Sequence, residues 1–224
     1  MQTPILIAWS GGKDCLMTLQ RLRADPRWRV AGLLTTVTRQ FDRVAMHGIR
    51  GDVLHAQARA LSLPLIESEL DWPSSNETYE NAFSGSLARA RASEPQLHHI
   101  AFGDLFLQDV REWREALLAR HGWRGIYPLW GTDTRSLSRE IVTQGHRVVL
   151  TCVDTTQLNG AFSGRAFDRS LLDDLPRNVD PCGERGEFPT LSHGGPLFAA
   201  PLKLRRGESV LREGRFQYTD FELA

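Results

Sequence analysis

At 224 residues and 41% hydrophobic content, this chain can bury a sizeable core, either as one large domain or as an ordinary domain with a small appendage. Its 27 basic and 27 acidic residues cancel, so no net charge draws it to nucleic acid or to an anionic membrane surface. Three widely spaced cysteines without a CxxC pair argue against a disulfide framework and favour a cytoplasmic protein, and the apolar runs are too short for a signal peptide or a membrane span.

Short apolar runs alternate along the chain with helical patterns. The candidate strands are residues 5–9, 30–37, 65–70, 99–102, 125–129 and 147–153. A capping box at residues 74–77 predicts the start of one helix, and Gly122 and Gly145 predict the ends of two others. Strand and helix repeated in this way predict an α/β fold with a doubly wound, mainly parallel sheet, of the Rossmann-like kind.

The character of the sequence changes near residue 154. Beyond it the loops are rich in glycine and proline, and residues 208–223 predict two strands around a turn at Glu213 and Gly214. We therefore expect a first domain over residues 1–154 and a small, mainly β, second domain over residues 155–224.

The first candidate strand is followed by Ser-Gly-Gly-Lys-Asp-Cys, residues 10–15, and then by a helical pattern. A glycine loop between a strand and a helix lets an anion approach the backbone amides at the positive end of the helix, which suits a phosphate group. The Walker pattern does not fit, because Lys13 is followed by Asp14, and GxGxxG is absent here. A tight turn without a ligand stays open as the alternative.

The segment SGGKDC resembles the PP-loop of the ATP pyrophosphatases. Four further segments, HGIRGDVLHAQARALSLPL, GDLFLQDVREWRE, YPLWGTDTRSL and VDPCGERGEFPT, are similar to the diphthine–ammonia ligase family, also described as the ATP-binding domain 4 proteins. The resemblance covers nearly the whole chain. It departs at Cys15, where the loop normally has serine or threonine, and a thiol is a weaker hydrogen-bond donor than a hydroxyl.

The resemblance implies an ATP-binding first domain, a substrate-handling second domain, and ligation through an adenylate. A carboxylate, on a protein side chain or a small molecule, would attack the α-phosphorus of ATP, and ammonia would then displace AMP. Ser10, Gly11, Gly12 and Lys13 would hold the departing pyrophosphate, and Mg²⁺ would neutralise the phosphates. A homodimer is an open alternative to a monomer.

Several residues are candidates for roles at this site. Asp14 is a metal ligand or simply a favourable acid at a helix start. Asp104, after Gly103, follows a strand end where open α/β sheets bind ligands, although a plain turn residue would look the same. Glu184 and Glu187 are catalytic or substrate candidates in a glycine-rich loop that could also be only solvated.

Lys13 and Asp104 are further catalytic candidates. The other nucleotide-site candidates are Asp14, Cys15, Thr35, Thr36, His47, Gly103 and Asp104. Of these, the His47 side chain taken alone would more often be a loop histidine. The other substrate-site candidates are Arg111, Trp130, Thr132, Asp133 and Cys182, among which Trp130 would usually be core and Cys182 a structural thiol.

Two other functions stay open at this point. PP-loop proteins also modify tRNA, and the cluster of Lys203, Arg205, Arg206, Arg212 and Arg215 gives that function local support, although such a cluster usually marks a solvated face. A non-catalytic adenine-nucleotide-binding protein is the second, supported by Cys15.

Overall fold

The computed structural model describes residues 2–41, 43–44 and 48–224 and divides into two compact units. The first unit comprises Met1–Ser10, Asp14–Ala45 and Leu63–Gly131, and the second comprises Gly11–Lys13, Met46–Ser62 and Thr132–Ala224. The domain limits expected from the sequence, at residues 154 and 155, stay a prediction.

The first unit is built on a mostly parallel sheet. Its strands, within the described residues, are β1 (Thr3–Ala8), β2 (Trp28–Thr38), β3 (Arg43–Val44), β4 (Leu65–Leu70), β5 (His99–Ala101) and β6 (Arg124–Ile126). Parallel pairs join β4 to β2, β2 to β1, β1 to β5 and β5 to β6, while β3 adds antiparallel to the end of β2. The predicted α/β class with a parallel sheet is confirmed. The chain leaves β1 towards β2 on one side and returns to β5 on the other, and this reversal of strand order is where open α/β sheets bind ligands.

Helices of the first unit cover the apolar sheet. They are α1, which begins at Lys13 and ends at Ala24, α3 (Asn76–Ser93) and α4 (Gln108–Arg120). Leu6 and Ile100 from the sheet pack in one buried cluster with Leu87 of α3 and Leu117 of α4. The cap of α3 is Ser75, whose hydroxyl accepts a hydrogen bond from the Thr78 amide, so the helix starts within the predicted capping segment.

The second unit is a mixture of short helices and antiparallel strands. Its described elements are α2 (Gly51–Ala60), α5 (Thr134–Thr143), α6 (Arg169–Asp174), β7 (Arg147–Leu150), β8 (Cys152–Asp154), β9 (Thr190–Gly194), β10 (Leu204–Arg212) and β11 (Phe216–Leu223). Strand β7 pairs with β9, and β11 lies between β10 and β8. The predicted hairpin is confirmed as β10 and β11, and its turn places Glu213 and Gly214 at φ 51° and 61°.

The sixth candidate strand, residues 147–153, departs from the expectation of a parallel sheet. It divides at Thr151 into β7 and β8, which belong to two different antiparallel sheets. The Thr151 amide donates to the carbonyl of Pro189, and its own carbonyl accepts from the Thr219 amide. The apolar run required burial on both faces, but an apolar pattern does not specify which strand a segment will pair with.

Along the described residues, no helix has both the length and the apolar character needed to cross a membrane.

Candidate functional site

The backbone of the glycine loop forms hydrogen bonds with α2 and with β9. The carbonyl of Gly11 accepts hydrogen bonds from the Ser192 amide of β9 and from the side-chain amide of Gln57 of α2, both at 2.9 Å. The same Gln57 nitrogen donates to the Ser192 carbonyl at 2.6 Å. Gly11 has φ +83°, and a Cβ there would lie 2.8 Å from Cδ1 of Ile49, so glycine is required for conformation and for space. Two hydrogen bonds therefore anchor the loop backbone at Gly11, and a third links the two groups that donate them.

Lys13 is buried at the first position of α1, next to the buried Gly12. Its amide donates to the Thr190 hydroxyl at 3.1 Å, so that amide is held by β9. Its side chain is only 2% exposed, and the ammonium nitrogen lies 3.9 Å from a carboxylate oxygen of Glu184. A buried ammonium needs such a countercharge, and Glu184 supplies it within the second unit.

Ser10 and Cys15 flank the loop within the first unit. The Ser10 hydroxyl donates to the Cys15 sulfur at 3.6 Å, and Cys15 is buried. The thiol that replaces the usual hydroxyl of the PP-loop therefore faces the Ser10 hydroxyl of the same loop.

Two carboxylates of the first unit lie near each other at the carboxyl ends of β1 and β5. A Cβ on Gly103 would lie 2.8 Å from the backbone carbon of Asp14, so the turn after β5 packs directly on the start of α1. The next residue, Asp104, forms an ion pair with Arg114 of α4. Burial raises the pKa of Asp104, the Arg114 guanidinium opposes that shift, and the charge of Asp14 adds to it. The predicted candidates Asp14, Gly103 and Asp104 are thus brought together.

Thr35 and Thr36 lie in the last part of β2, as the sequence predicted. Thr35 is fully buried, and its hydroxyl has no hydrogen-bond partner among the described residues. Thr36 is half-buried; burial raises the pKa of the nearby Tyr79 hydroxyl, and Thr36 opposes that rise. His47, the remaining candidate for this region, lies outside the described residues.

Glu187 organises the glycine-rich loop of residues 180–187. One carboxylate oxygen accepts from the Asp180 amide and the other from the Arg185 amide, both at 2.9 Å, and the side chain is buried. Gly183 lies inside this loop at φ +70°, where a Cβ would be 2.6 Å from the carbonyl oxygen of Phe188. The loop therefore has a defined conformation, and the hydrogen bonds of Glu187 stabilise the segment that contains Glu184.

Asp180 closes the other side of the same loop. Its carboxylate accepts from the Cys182 amide and from the Thr134 hydroxyl, both at 2.8 Å. The Cys182 thiol is buried and donates to the Thr134 carbonyl at 3.3 Å. These contacts fit the interpretation of Cys182 as a structural thiol that ties the loop to the start of α5.

Arg111 and Trp130 are brought together within the first unit. The Arg111 guanidinium lies 4.6 Å from the ring centroid of Trp130 and 4.6 Å from that of Tyr127, and it also pairs with Glu115. Burial raises the pKa of Tyr127 to about 12, so its hydroxyl stays protonated at neutral pH. The arrangement gives these side chains a packing function, through cation–π contacts.

Thr132 and Asp133 lie at the start of α5. Thr132 is half-buried, and Asp133 is the exposed N-cap, whose carboxylate accepts from both the amide and the hydroxyl of Ser136 at 2.8 Å. These hydrogen bonds lower the pKa of Asp133. The structure thus assigns Asp133 a capping contact.

Three residues that support the site were missed by sequence reasoning. Gln57 is the polar member of an otherwise apolar helix face that includes Val53, Leu54 and Leu61, and a buried amide on such a face was the available signal. Asp180 stands before a proline at the start of the glycine-rich loop, a turn signal that was available too. Arg114 gave no such signal, because nothing in the local pattern distinguishes it from other arginines of α4.

Within residues 2–41, 43–44 and 48–224, no group of three or more histidine, cysteine, aspartate or glutamate residues has the arrangement of a metal site.

Comparison with known proteins connects both parts of the chain to one family. The family described as the diphthamide synthase N-terminal domain matches residues 1–125, and the one described as the diphthamide synthase C-terminal domain matches residues 133–219. Diphthine–ammonia ligase of Schizosaccharomyces pombe is 24% identical over 184 residues, which cover 76% of this chain and 30% of the yeast protein. The match thus spans less than a third of that relative's length.

Proposed function

The chain belongs to the diphthamide synthase family, and from that premise we propose that it is an ATP-dependent ligase that joins ammonia to a carboxylate. The observation that carries the proposal is the glycine loop Ser10–Cys15 between a parallel strand and a helix, with Lys13 buried at the helix start. The relative whose name specifies a diphthine–ammonia ligase supports the same reaction class. Residues 1–154 would form the ATP-binding part and residues 155–224 the substrate-handling part.

The reaction would proceed in two steps. An oxygen of the acceptor carboxylate attacks the α-phosphorus of ATP and pyrophosphate leaves, which gives an acyl adenylate. Ammonia then attacks the acyl carbon and AMP leaves, which gives the amide. Each step transfers a group between bound partners, so positioning and neutralisation of charge contribute most of the rate acceleration.

The chain's own residues would bind and orient the phosphates. Gly12 and the loop amides let the triphosphate approach the backbone, and the Lys13 ammonium adds a positive charge. When ATP arrives, Lys13 would exchange its loose pairing with Glu184 for the phosphates. Cys15 would take the position of the usual hydroxyl with a weaker donor.

Asp14 and Asp104 fit a divalent cation. They are two neighbouring carboxylates, and carboxylate oxygens are the ligands that Mg²⁺ prefers. Mg²⁺ keeps several waters and binds few protein groups when phosphate oxygens complete its shell, which suits a site with two acids. When bound, the ion would neutralise the phosphates of ATP. Ion pairing with Arg114 would hold Asp104 in place for this role.

The loop of residues 180–187 would handle the nitrogen substrate. Glu184 is partly accessible at 12% and carries a negative charge, which would attract an ammonium ion before its deprotonation. Glu187 would act through the loop by holding two of its amides.

The carboxylate acceptor would be a protein side chain or a small molecule. A homodimer and cytoplasmic residence are also part of the proposal.

The arginines that supported a tRNA-modifying function are engaged with other groups. Arg205 pairs with Glu222, Arg215 pairs with the buried Asp154, and Arg206 donates to the Ser163 carbonyl. No observation favours tRNA modification or a non-catalytic nucleotide sensor over the ligase.

Calorimetric titration with ATP and Mg²⁺ tests the phosphate site. Gly12→Val should weaken ATP binding by on the order of a hundredfold or more, because its side chain would occupy the space of a phosphate and remove charge-assisted hydrogen bonds. Gly85→Val is the matched control, since a Cβ at Gly85 would meet only the end of the Arg89 side chain, at 4.0 Å. Unchanged ATP affinity in Gly12→Val would exclude the loop as the phosphate site.

A further inference from the structure

A cleft of about 340 Å³ opens in the first unit between the end of β4, the start of α3 and the middle of α4. Its lining includes Leu70, Ser74, Asn76, Tyr79, Trp113 and Arg114. The volume suits one amino-acid side chain or a small molecule. None of the roles described above uses this cleft.

Two wall residues of the cleft also contact the candidate nucleotide site of the same unit. Tyr79 lies close enough to Thr36, in the last part of β2, for the threonine hydroxyl to oppose the rise that burial causes in the tyrosine pKa, and Arg114 pairs with Asp104 just after β5. A ligand in the cleft would therefore lie one side chain away from the residues at the carboxyl ends of both strands, where the reaction would take place.

The cleft has one apolar side and one polar side. The rings of Tyr79 and Trp113 lie with centroids 5.7 Å apart, and Trp113 is 38% exposed, which is a large exposure for an indole. Arg114 supplies the positive charge, and Ser74 and Asn76 add hydrogen-bond donors. None of the described residues that line the cleft is acidic. This charge pattern complements an anion carried on an apolar body.

The guanidinium of Arg114 has enough N–H donors to bind both Asp104 and a ligand in the cleft. Its Nη1 group donates to Asp104, and its guanidinium lies 4.5 Å from the ring centroid of Phe102, which fixes its plane. A guanidinium presents five N–H donors in a fixed fork, so pairing with Asp104 leaves donor capacity towards the cleft.

We propose that this cleft binds the acceptor of the ligase and that the acceptor presents its carboxylate on an apolar or aromatic body. The inference rests on the proposed function, because it identifies the cleft's anion with the carboxylate to be adenylated. Arg114 orients that carboxylate beside Asp104, while Tyr79 and Trp113 hold the body of the acceptor. Arg114 is in this account a substrate-binding residue.

Titration of the intact protein with 3-phenylpropionate, followed by calorimetry, tests the cleft. The wild type should bind it at least about tenfold more tightly than acetate or the neutral 3-phenylpropionamide, which lack the apolar body or the charge. A capped tripeptide with a central glutamate, titrated in parallel, distinguishes a peptide-borne carboxylate from a free one. These ligand comparisons require no variant.

Variants locate the binding. Arg114→Gln should weaken binding of the charged probe by about ten- to a hundredfold, and Trp113→Ala by about tenfold. Arg120→Gln is the matched control on the same helix, because Arg120 pairs with Glu80 outside the cleft and its side chain is largely exposed. Arg114→Lys, which keeps a charge for Asp104, should give an intermediate loss.

The outcomes separate the cleft from the ATP site. Equal binding of the amide and the carboxylate, unchanged affinity in Arg114→Gln, or no saturable binding of either carboxylate probe would overturn the inference. ATP affinity measured on the same samples reports on the proposed function independently. Binding of the carboxylate probe without binding of ATP would support the cleft as a carboxylate site and overturn the proposed ligase function. Binding of ATP without binding of the carboxylate probe would support the phosphate site and overturn the inference about the cleft.

Discussion

Replacing Gln57 with methionine should loosen the glycine loop while leaving its sequence intact. Gln57 is completely buried, and its side-chain nitrogen donates to the carbonyls of Gly11 and Ser192 at 2.9 and 2.6 Å. Methionine has nearly the same length and volume but no donor. The substitution therefore removes at least these two hydrogen bonds with little change in packing.

The expected loss of stability follows from the hydrogen-bond donors that each of the two carbonyls retains. Gly11 retains the Ser192 amide as a partner, so it loses about the net value of one hydrogen bond, ~1 kcal/mol. The Ser192 carbonyl loses this donor inside the protein, which costs roughly 1–3 kcal/mol. The sum of about 2–4 kcal/mol corresponds to a melting temperature lower by roughly 5–15 °C for a chain of this size.

Thermal unfolding and ATP titration together form the assay. Gln57→Met should lower the melting temperature by that amount and weaken ATP binding by at least about tenfold, because an unanchored loop must be ordered when phosphate binds. Gln96→Met, at an exposed position, is the matched control. A melting temperature and ATP affinity equal to those of the control would refute the claim that Gln57 of α2 holds the loop.

Three further predictions concern other parts of the molecule. Cys15→Ser should preserve or tighten ATP binding measured by calorimetry, because a hydroxyl is the stronger donor; a tenfold loss would show that the thiol is required. Glu187→Gln should keep ATP affinity within about twofold and lower product formation by on the order of a hundredfold, since an amide cannot accept from both loop N–H groups; loss of ATP binding with normal turnover would instead place the loop in the nucleotide site. Asp154→Asn should lower the melting temperature at pH 7, because hydrogen bonds from Arg215, above all, hold the pKa of Asp154 well below its usual range. A carboxylate whose pKa is lower in the folded than in the unfolded protein stabilises the fold at pH values above the unfolded pKa, and this stabilisation is lost as the pH falls. The difference in melting temperature between Asp154→Asn and the wild type should therefore shrink below about pH 4. A difference in melting temperature that grows towards low pH would contradict the assignment.

Sequence patterns predicted the first unit better than the second for physical reasons. Five of the six candidate strands are found in the parallel sheet, because strands buried on both faces produce apolar runs that are visible locally. The glycine loop and the turn at Gly103 followed from their positions after such strands. The sequence analysis did not predict which strands would be neighbours, and it therefore did not predict that Asp14 and Asp104 would lie near each other.

The second unit was harder to predict because its strands are short and polar. Strand β9 contains Thr190, Ser192 and His193 and has no apolar alternation, so it was not recognised, although it supplies two contacts to the glycine loop. The roles of Asp180 and Glu187 depend on hydrogen bonds to backbone amides within a folded loop. A sequence shows that acids are present in such a loop but not which groups they accept from.

Separation of the nucleotide products tests the central claim most directly. The protein is incubated with ATP, Mg²⁺, ammonium chloride and a panel of carboxylates, and the products are separated by anion-exchange chromatography. Cleavage between the α- and β-phosphates is expected, so AMP and pyrophosphate should appear in equal amounts, and Gly12→Val should abolish both. ADP and inorganic phosphate as the main products would show that the loop directs attack to the γ-phosphate, and would contradict the assignment of this chain as an adenylating ligase.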